Sequence, residues 1–142
     1  MITTAAAAGA QSVYAADLDG DGDLDVLSAS DWDDKIAWYA NDGTGRFGAQ
    51  QVITRAAAGA RCVYAADLDG DGDLDVLSAS WDDDKIAWYA NDGSGHFGPQ
   101  QVITTEAEYA NCVYAADLDG DGDLDVLSAS PGDDKIAWYE NE

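Results

Sequence analysis

Basic residues are scarce in this sequence. It has 6 Lys and Arg against 29 Asp and Glu, which gives a formal net charge of −23. Long-range repulsion would oppose binding to a phosphate backbone, so we expect no nucleic-acid partner. No apolar run approaches the roughly 20 residues of a membrane-spanning helix. No basic and apolar leader follows Met1. We therefore expect no membrane span and no signal peptide in this chain.

Residues that commonly serve catalysis or zinc binding are also few. The single histidine, His96, lies in a Gly-rich turn, where its side chain should be solvated. Cys62 and Cys112 occupy equivalent positions in successive repeats, so a bridge between them would need unusual geometry and we expect free thiols. No zinc-type Cys/His spacing and no recognisable acid-base pair occur, and we expect no enzyme activity.

What the sequence does contain is enough apolar surface for a core, arranged in repeats. It is 46% hydrophobic, which excludes a disordered acidic tail. The segment 13–30 recurs unchanged at 63–80 and 113–130, a period of 50. Such a period without long helical periodicity is typical of propeller blades. We treat 1–142 as one three-blade segment, with repeats at approximately 2–52, 53–102 and 103–142.

Each repeat has the pattern of a four-stranded antiparallel blade, so we predict an all-β fold. In the second repeat the strands are predicted at 63–66, 75–80, 85–90 and 97–104, separated by Asp-, Asn- and Gly-rich turns. Bulky third-strand residues should fill the spaces between blades. The tryptophans predicted to lie there are Trp38, Trp88 and Trp138.

The strongest functional signal is the nine-residue loop 17–25, DLDGDGDLD, present in all three repeats. Carboxylates at positions 1, 3 and 5 converge on a cation when the chain wraps around it, and Gly22 at position 6 permits the sharp turn. Position 7 offers a backbone carbonyl and position 9 another carboxylate. Calcium, which takes six to eight oxygen ligands, fits this set, one ion per repeat. The predicted metal residues are Asp17, Asp19, Asp21, Asp23, Asp25, Asp67, Asp69, Asp71, Asp73, Asp75, Asp117, Asp119, Asp121, Asp123 and Asp125.

The loop is followed by DKIAWY at 34–39 and NDGTGRF at 41–47. This order of motifs resembles the FG-GAP or VCBS repeat family, whose calcium-binding blades occur in integrin α-subunit propellers and many bacterial surface proteins. The resemblance implies calcium on one face, an extracellular or cell-surface location, and a role in adhesion, carbohydrate binding or ligand display. Two alternatives stay open: a structural or engineered repeat assembly without a further ligand, and part of a polysaccharide-active enzyme.

Three blades are fewer than the four to eight that usually close a propeller, so we expect closure by oligomerisation. A homodimer would give six blades and ranks ahead of a nine-bladed trimer. The third repeat ends after its third strand. The segment 2–4 resembles the end of a fourth strand and is predicted to complete the last blade of another copy.

Alternating strand directions place the Asp-rich loops and the Asn-Asp-Gly turns on one face of the blades. The stretches that differ between repeats lie on the opposite face, where Trp32 and Trp81 stand beside aspartates. Exposed Trp beside Asp is a common chemistry of sugar recognition, and these two residues are the candidate ligand face for a glycan or an extracellular protein. The alternatives are that the indoles cap the gap between blades or that the loops vary under weak constraint.

Overall fold

The computed structural model describes residues 1–3 and 6–142. Within this part of the chain there are eleven strands and no helix, and so no helix that could cross a membrane. The strands are β1 (Ala10–Ala16), β2 (Asp25–Ser30), β3 (Lys35–Tyr39), β4 (Gln51–Thr54), β5 (Ala60–Ala66), β6 (Asp75–Ser80), β7 (Lys85–Tyr89), β8 (Gln101–Thr104), β9 (Cys112–Ala116), β10 (Asp125–Ser130) and β11 (Lys135–Tyr139).

The strands form three antiparallel sheets in sequence order. Blade 1 contains β1 to β4, blade 2 contains β5 to β8, and blade 3 contains β9 to β11 among the described residues. The predicted strand 75–80 matches β6, whereas the predicted strand 97–104 is shorter, since only Gln101–Thr104 is a strand and Phe97 forms an isolated bridge to Asn91. Blade 1 has the same short strand and an isolated bridge between Asn41 and Phe47, although Ala49 stands at the position of Pro99, so the interruption belongs to the repeat and not to the proline.

Two apolar clusters hold the blades together, one at each junction. Each blade has a forward face, which packs on the next blade, and a rear face, which packs on the preceding one. At the junction of blades 1 and 2, the forward face supplies Leu18, Leu27 and Ile36, and the rear face supplies Val63 and Tyr89. The second junction repeats the same positions 50 residues later. Burial of apolar surface stabilises a fold by about 25 cal/mol per Å², so both junctions contribute to stability.

The innermost strands of the three blades lie side by side. Tyr14, Tyr64 and Tyr114 form a row in which neighbouring ring centroids are 4.8 and 4.6 Å apart. Cys62 lies in β5 and Cys112 in β9, with their sulfur atoms 4.0 Å apart. Both thiols are free, as predicted. Burial raises the pKa of the Cys62 thiol to about 11. The two sulfurs are near neighbours because adjacent blades place equivalent positions together.

The prediction that the third-strand tryptophans are core residues is right for one of them. Trp38 is buried at the first junction, and Trp88 is partly buried at the second. Trp138 is 48% exposed, so this prediction is wrong within the single chain. The reason is that no part of the described residues covers the forward face of blade 3.

The predicted N-terminal closing strand is not formed in the single chain as far as the structure describes it. Residues 1–3 have no strand, and Thr4, which the prediction included, lies outside the described residues. Blade 3 has no fourth strand among the described residues. The assignment of 2–4 to another copy therefore stays a prediction.

Candidate metal centres

The Asp-rich loop between β1 and β2 is folded around its first carboxylate. Asp17 accepts hydrogen bonds from the backbone amides of Gly20 (2.8 Å) and Gly22 (2.9 Å). Both glycines have positive φ, 75° and 92°, which a residue with a side chain rarely adopts. The same pair of bonds recurs at Asp67 and at Asp117. The sequence therefore fixes one loop conformation three times.

Carboxylates of each loop converge, but with different members in different blades. Three carboxylates can place oxygen atoms within 4.8 Å of one another in every loop. Asp71 belongs to the converging set of blade 2, whereas Asp21 and Asp121 do not belong to the sets of blades 1 and 3. The carboxylate of Asp23 lies toward Gly43, and its predicted contribution is the backbone carbonyl. The converging sets are Asp17, Asp19 and Asp25; Asp67, Asp69 and Asp71; and Asp117, Asp119 and Asp125.

The carboxylate at position 9 also has a structural role. Asp25 is fully buried, and its two oxygens accept hydrogen bonds from the amides of Leu18 (2.9 Å) and Asn41 (2.8 Å). It therefore ties the Asp-rich loop to the turn between β3 and β4. Each carboxylate oxygen has a second lone pair, so these bonds leave capacity to bind a cation. Asp75 and Asp125 make the corresponding bonds.

The electrostatics of the loops favour a bound cation. Burial and the neighbouring carboxylates of Asp25 and Asp21 raise the pKa of Asp19 above its ordinary value. Burial also raises the pKa of Asp75, although it accepts hydrogen bonds from the Asn91 and Leu68 amides. A raised carboxyl pKa means that the charged form is disfavoured where it stands. A divalent cation among these oxygens would remove that penalty, and hard carboxylate and carbonyl oxygens suit calcium.

A second group of residues at this face was missed by the sequence reasoning. The side chain of Asn91 donates to the carbonyls of Leu74 in its own blade (3.0 Å) and of Leu18 in the preceding blade (2.9 Å). Asn141 makes the equivalent bonds to Leu124 and Leu68. The predicted placement of the Asp-rich loops beside the Asn-Asp-Gly turns is thus confirmed. The repeated Asn at 41, 91 and 141 was the available signal.

The opposite face carries the predicted ligand residues, in two different settings. Trp32 is 82% exposed. Trp81 stacks on Tyr109 at 4.9 Å between ring centroids, and the Arg61 guanidinium lies 4.8 Å from its ring centroid. Trp81 thus packs against the loop that enters blade 3, in agreement with the alternative that the indoles cap the gap between blades. Tyr109 and Arg61 were missed because they are unique to their repeats. His96 is solvated, as predicted.

A model of the FG-GAP-like repeat matches residues 17–78 and again 67–128. The chain belongs to the FG-GAP-like repeat family. Both matches begin at an Asp-rich loop and extend through the next one, so they cover the candidate metal centres of all three blades. The family membership also confirms the resemblance that the loop, DKIAWY and Asn-Asp-Gly motifs indicated. No curated protein sequence matches the chain.

Solved structures share the fold at low sequence identity. An Agrocybe aegerita lectin, described as recognising non-reducing terminal N-acetylglucosamine, is 21% identical with a TM-score of 0.61; the match covers 89% of this chain and 36% of the lectin. The Tc holotoxin pore of Photorhabdus luminescens is 22% identical with a TM-score of 0.53, over 89% of this chain and 6% of the toxin chain. The FG-GAP-like chain thus spans about a third of the lectin, and the likeness establishes a propeller-like blade fold.

Proposed function

We propose that this chain is a calcium-stabilised, non-catalytic binding module. The observation that carries the proposal is the Asp-rich loop, which folds around its first carboxylate in the same way in all three blades. The converging carboxylates repel one another when no cation lies between them, so a loop that brings them together three times is suited to hold one.

The residues that would hold each ion are the loop carboxylates at positions 1, 3, 5 and 9 and the backbone carbonyl at position 7. Calcium is favoured over magnesium because the ligands come almost entirely from one flexible loop, whereas magnesium prefers to keep several waters in a strict octahedron. The ion would neutralise the loop and fix its conformation beside the blade junction.

A calcium titration by isothermal calorimetry tests this proposal. Chelator-treated protein should bind one calcium ion per loop, and substitution of both Asp67→Asn and Asp69→Asn should remove one ion without removing the others. The matched control is Asp42→Asn, which removes an exposed carboxylate outside the Asp-rich loops. Absence of calcium uptake by the folded protein would contradict the proposal.

The proposed working form is a ring closed by copies of the chain, with a homodimer of six blades ahead of a trimer of nine. Six blades lie within the usual range and nine lie outside it. The proposed location is outside the cell or on its surface, where calcium is abundant enough to occupy sites of moderate affinity.

The proposed ligand of the module is a carbohydrate, bound at the face that carries Trp32 and Trp81. Trp32 offers an exposed indole plane, and a lectin is among the proteins that share the fold. In a glycan-array screen with calcium present, Trp32→Ala should lose binding more completely than Trp81→Ala, because Trp81 is already stacked on Tyr109. Val102→Ala, an exposed position in β8 away from these loops, is the control. Binding that survives both loop substitutions would refute this assignment.

A further inference from the structure

The forward face of blade 3 is apolar and uncovered. Ile136 is 78% exposed, whereas its equivalents Ile36 and Ile86 are fully buried under the next blade. Around it lies an apolar depression of ≈ 440 Å³ that includes Leu118 and Trp138. An apolar surface of this kind favours association.

The rear face of blade 1 is the matching surface. Val13 is 71% exposed, whereas its equivalents Val63 and Val113 are 3% exposed because they pack on the preceding blade. The forward and rear faces meet twice inside the chain, at residues of the same sequence positions. The two free faces are therefore complementary to each other, and a second copy of this chain carries the surface that fits blade 3.

A hydrogen bond that recurs at both internal junctions also has an equivalent acceptor residue on the uncovered side of blade 3. The amide of Gly59 donates to Asp34 (2.9 Å), and the amide of Tyr109 donates to Asp84 (2.8 Å). Asp134 has the same left-handed backbone as those two aspartates, with φ 53° against 55° and 54°. It is thus already in the conformation that accepts an amide of a following blade.

One junction contact reaches a candidate metal loop. Asn91 and Asn141 each bind the leucine carbonyl at position 2 of the preceding blade's Asp-rich loop, at 2.9 and 2.7 Å. Leu118 is the equivalent residue of the third loop, and no blade follows it in this chain. In blade 3, Asp117 is exposed, whereas its equivalents Asp17 and Asp67 are partly buried.

We propose that a second copy of this chain docks the rear face of its blade 1 on the forward face of blade 3, and that Asn41 of the partner subunit binds the Leu118 carbonyl and completes the third calcium loop. The inference rests on the proposed calcium function. Under this proposal, calcium at the third loop raises the affinity of the two copies for each other. Association raises the calcium affinity of the third loop by the same factor, because coupling between two binding events is reciprocal. The first two loops are completed within the chain and lack this dependence.

Two variants with the same change of charge test the docking face. Val13→Asp alters the rear face of blade 1, and Val102→Asp alters β8, away from both free faces; both valines are exposed, so each variant should fold. Sedimentation velocity should show assembled Val102→Asp and dissociated Val13→Asp. Calcium calorimetry should give equal sites for the former, and for the latter one site weakened at least about fivefold, the lower end of usual coupling between sites.

A second pair isolates the hydrogen bond. Asn41 and Asn141 both bind a carbonyl of their own blade, but only Asn141 has its cross-blade partner within the chain. Asn41→Ala should raise the dissociation constant of assembly at least about fivefold. Asn141→Ala should leave it unchanged.

The outcomes separate the two proposals. A dissociated Val13→Asp with equal calcium sites overturns the coupling and leaves the calcium function standing. No calcium uptake by any variant overturns the calcium function and the coupling with it. Assembly of Val13→Asp like the unaltered chain, a monomeric unaltered chain, or equal effects of the two asparagine variants overturns the proposed docking.

Discussion

Strands β7 and β11 have the same sequence, KIAWY, but differ in their surroundings. Ile86 in β7 is fully buried, whereas Ile136 in β11 is 78% exposed. The two strands pair with β6 and β10 in the same register. The comparison teaches that a blade's own sequence fixes its sheet, while the presence of a following blade decides how much apolar surface it buries.

Removal of calcium should have the largest effect, because it acts on all blades at once. Each occupied site should stabilise the fold by roughly 2.7 kcal/mol when free calcium is a hundredfold above Kd. Chemical denaturation with calcium and with a chelator, at matched ionic strength, measures the loss. Equal midpoints of denaturation in the two conditions would mean that calcium does not stabilise the fold.

Lysine substitution at the two equivalent isoleucines should show the clearest difference in stability between blades 2 and 3. Ile86→Lys would bury a charge without a partner and should lower the free energy of unfolding by at least about 3 kcal/mol. Ile136→Lys should change it by less than about 0.5 kcal/mol in dilute, dissociated protein, because that side chain already lies in water. Urea denaturation of both variants gives the comparison, and similar losses would show that blade 3 is covered within the single chain.

Leucine truncation in the Asp-rich loops should show the same contrast more weakly. Leu68→Ala removes a buried side chain at the second junction and should cost about 2 kcal/mol. Leu118→Ala removes a side chain that is 48% exposed and should cost less than about 1 kcal/mol when no partner is bound. The measurement is the midpoint of urea denaturation, at protein concentrations low enough that the chains do not associate. A larger loss at Leu118 would contradict the assignment of that face as uncovered.

The smallest effect is expected where the two junctions differ in sequence. Gly59 and Tyr109 occupy equivalent positions with φ of 63° and 58°, so the tyrosine adopts a backbone that favours glycine. Tyr109→Gly should change stability by less than about 1 kcal/mol, because relief of that strain offsets the loss of the stack on Trp81. Tyr109→Ala loses the stack without the relief and should be the less stable of the two by thermal denaturation. The reverse order would show that the backbone is not strained there.

Much of the blade was predictable because its signals are local. The pattern of strand and turn residues located β6 at its observed bounds, and alternating strand directions placed the Asp-rich loops beside the Asn-Asp-Gly turns. The fourth strand was overestimated because Phe97, like Phe47 in blade 1, forms only an isolated bridge and the continuous strand begins at Gln101. The double role of Asp25, as a ligand candidate and as a brace between two loops, depends on its contact with Asn41, 16 residues away, and could not be read from the loop alone.

The sequence by itself determined the repeat, the all-β blade and the loop that folds around Asp17, since these depend on residues close together in the chain. Tertiary structure alone decided the fate of identical residues: Trp38 is buried and Trp138 is half-exposed, and the carbonyl of Leu18, unlike that of Leu118, is bound by a following blade. The physical reason is that a side chain on the face of a blade is buried only when another blade packs against that face. Three blades in a row have two junctions, and the surfaces left at the ends keep the apolar residues that the junctions bury.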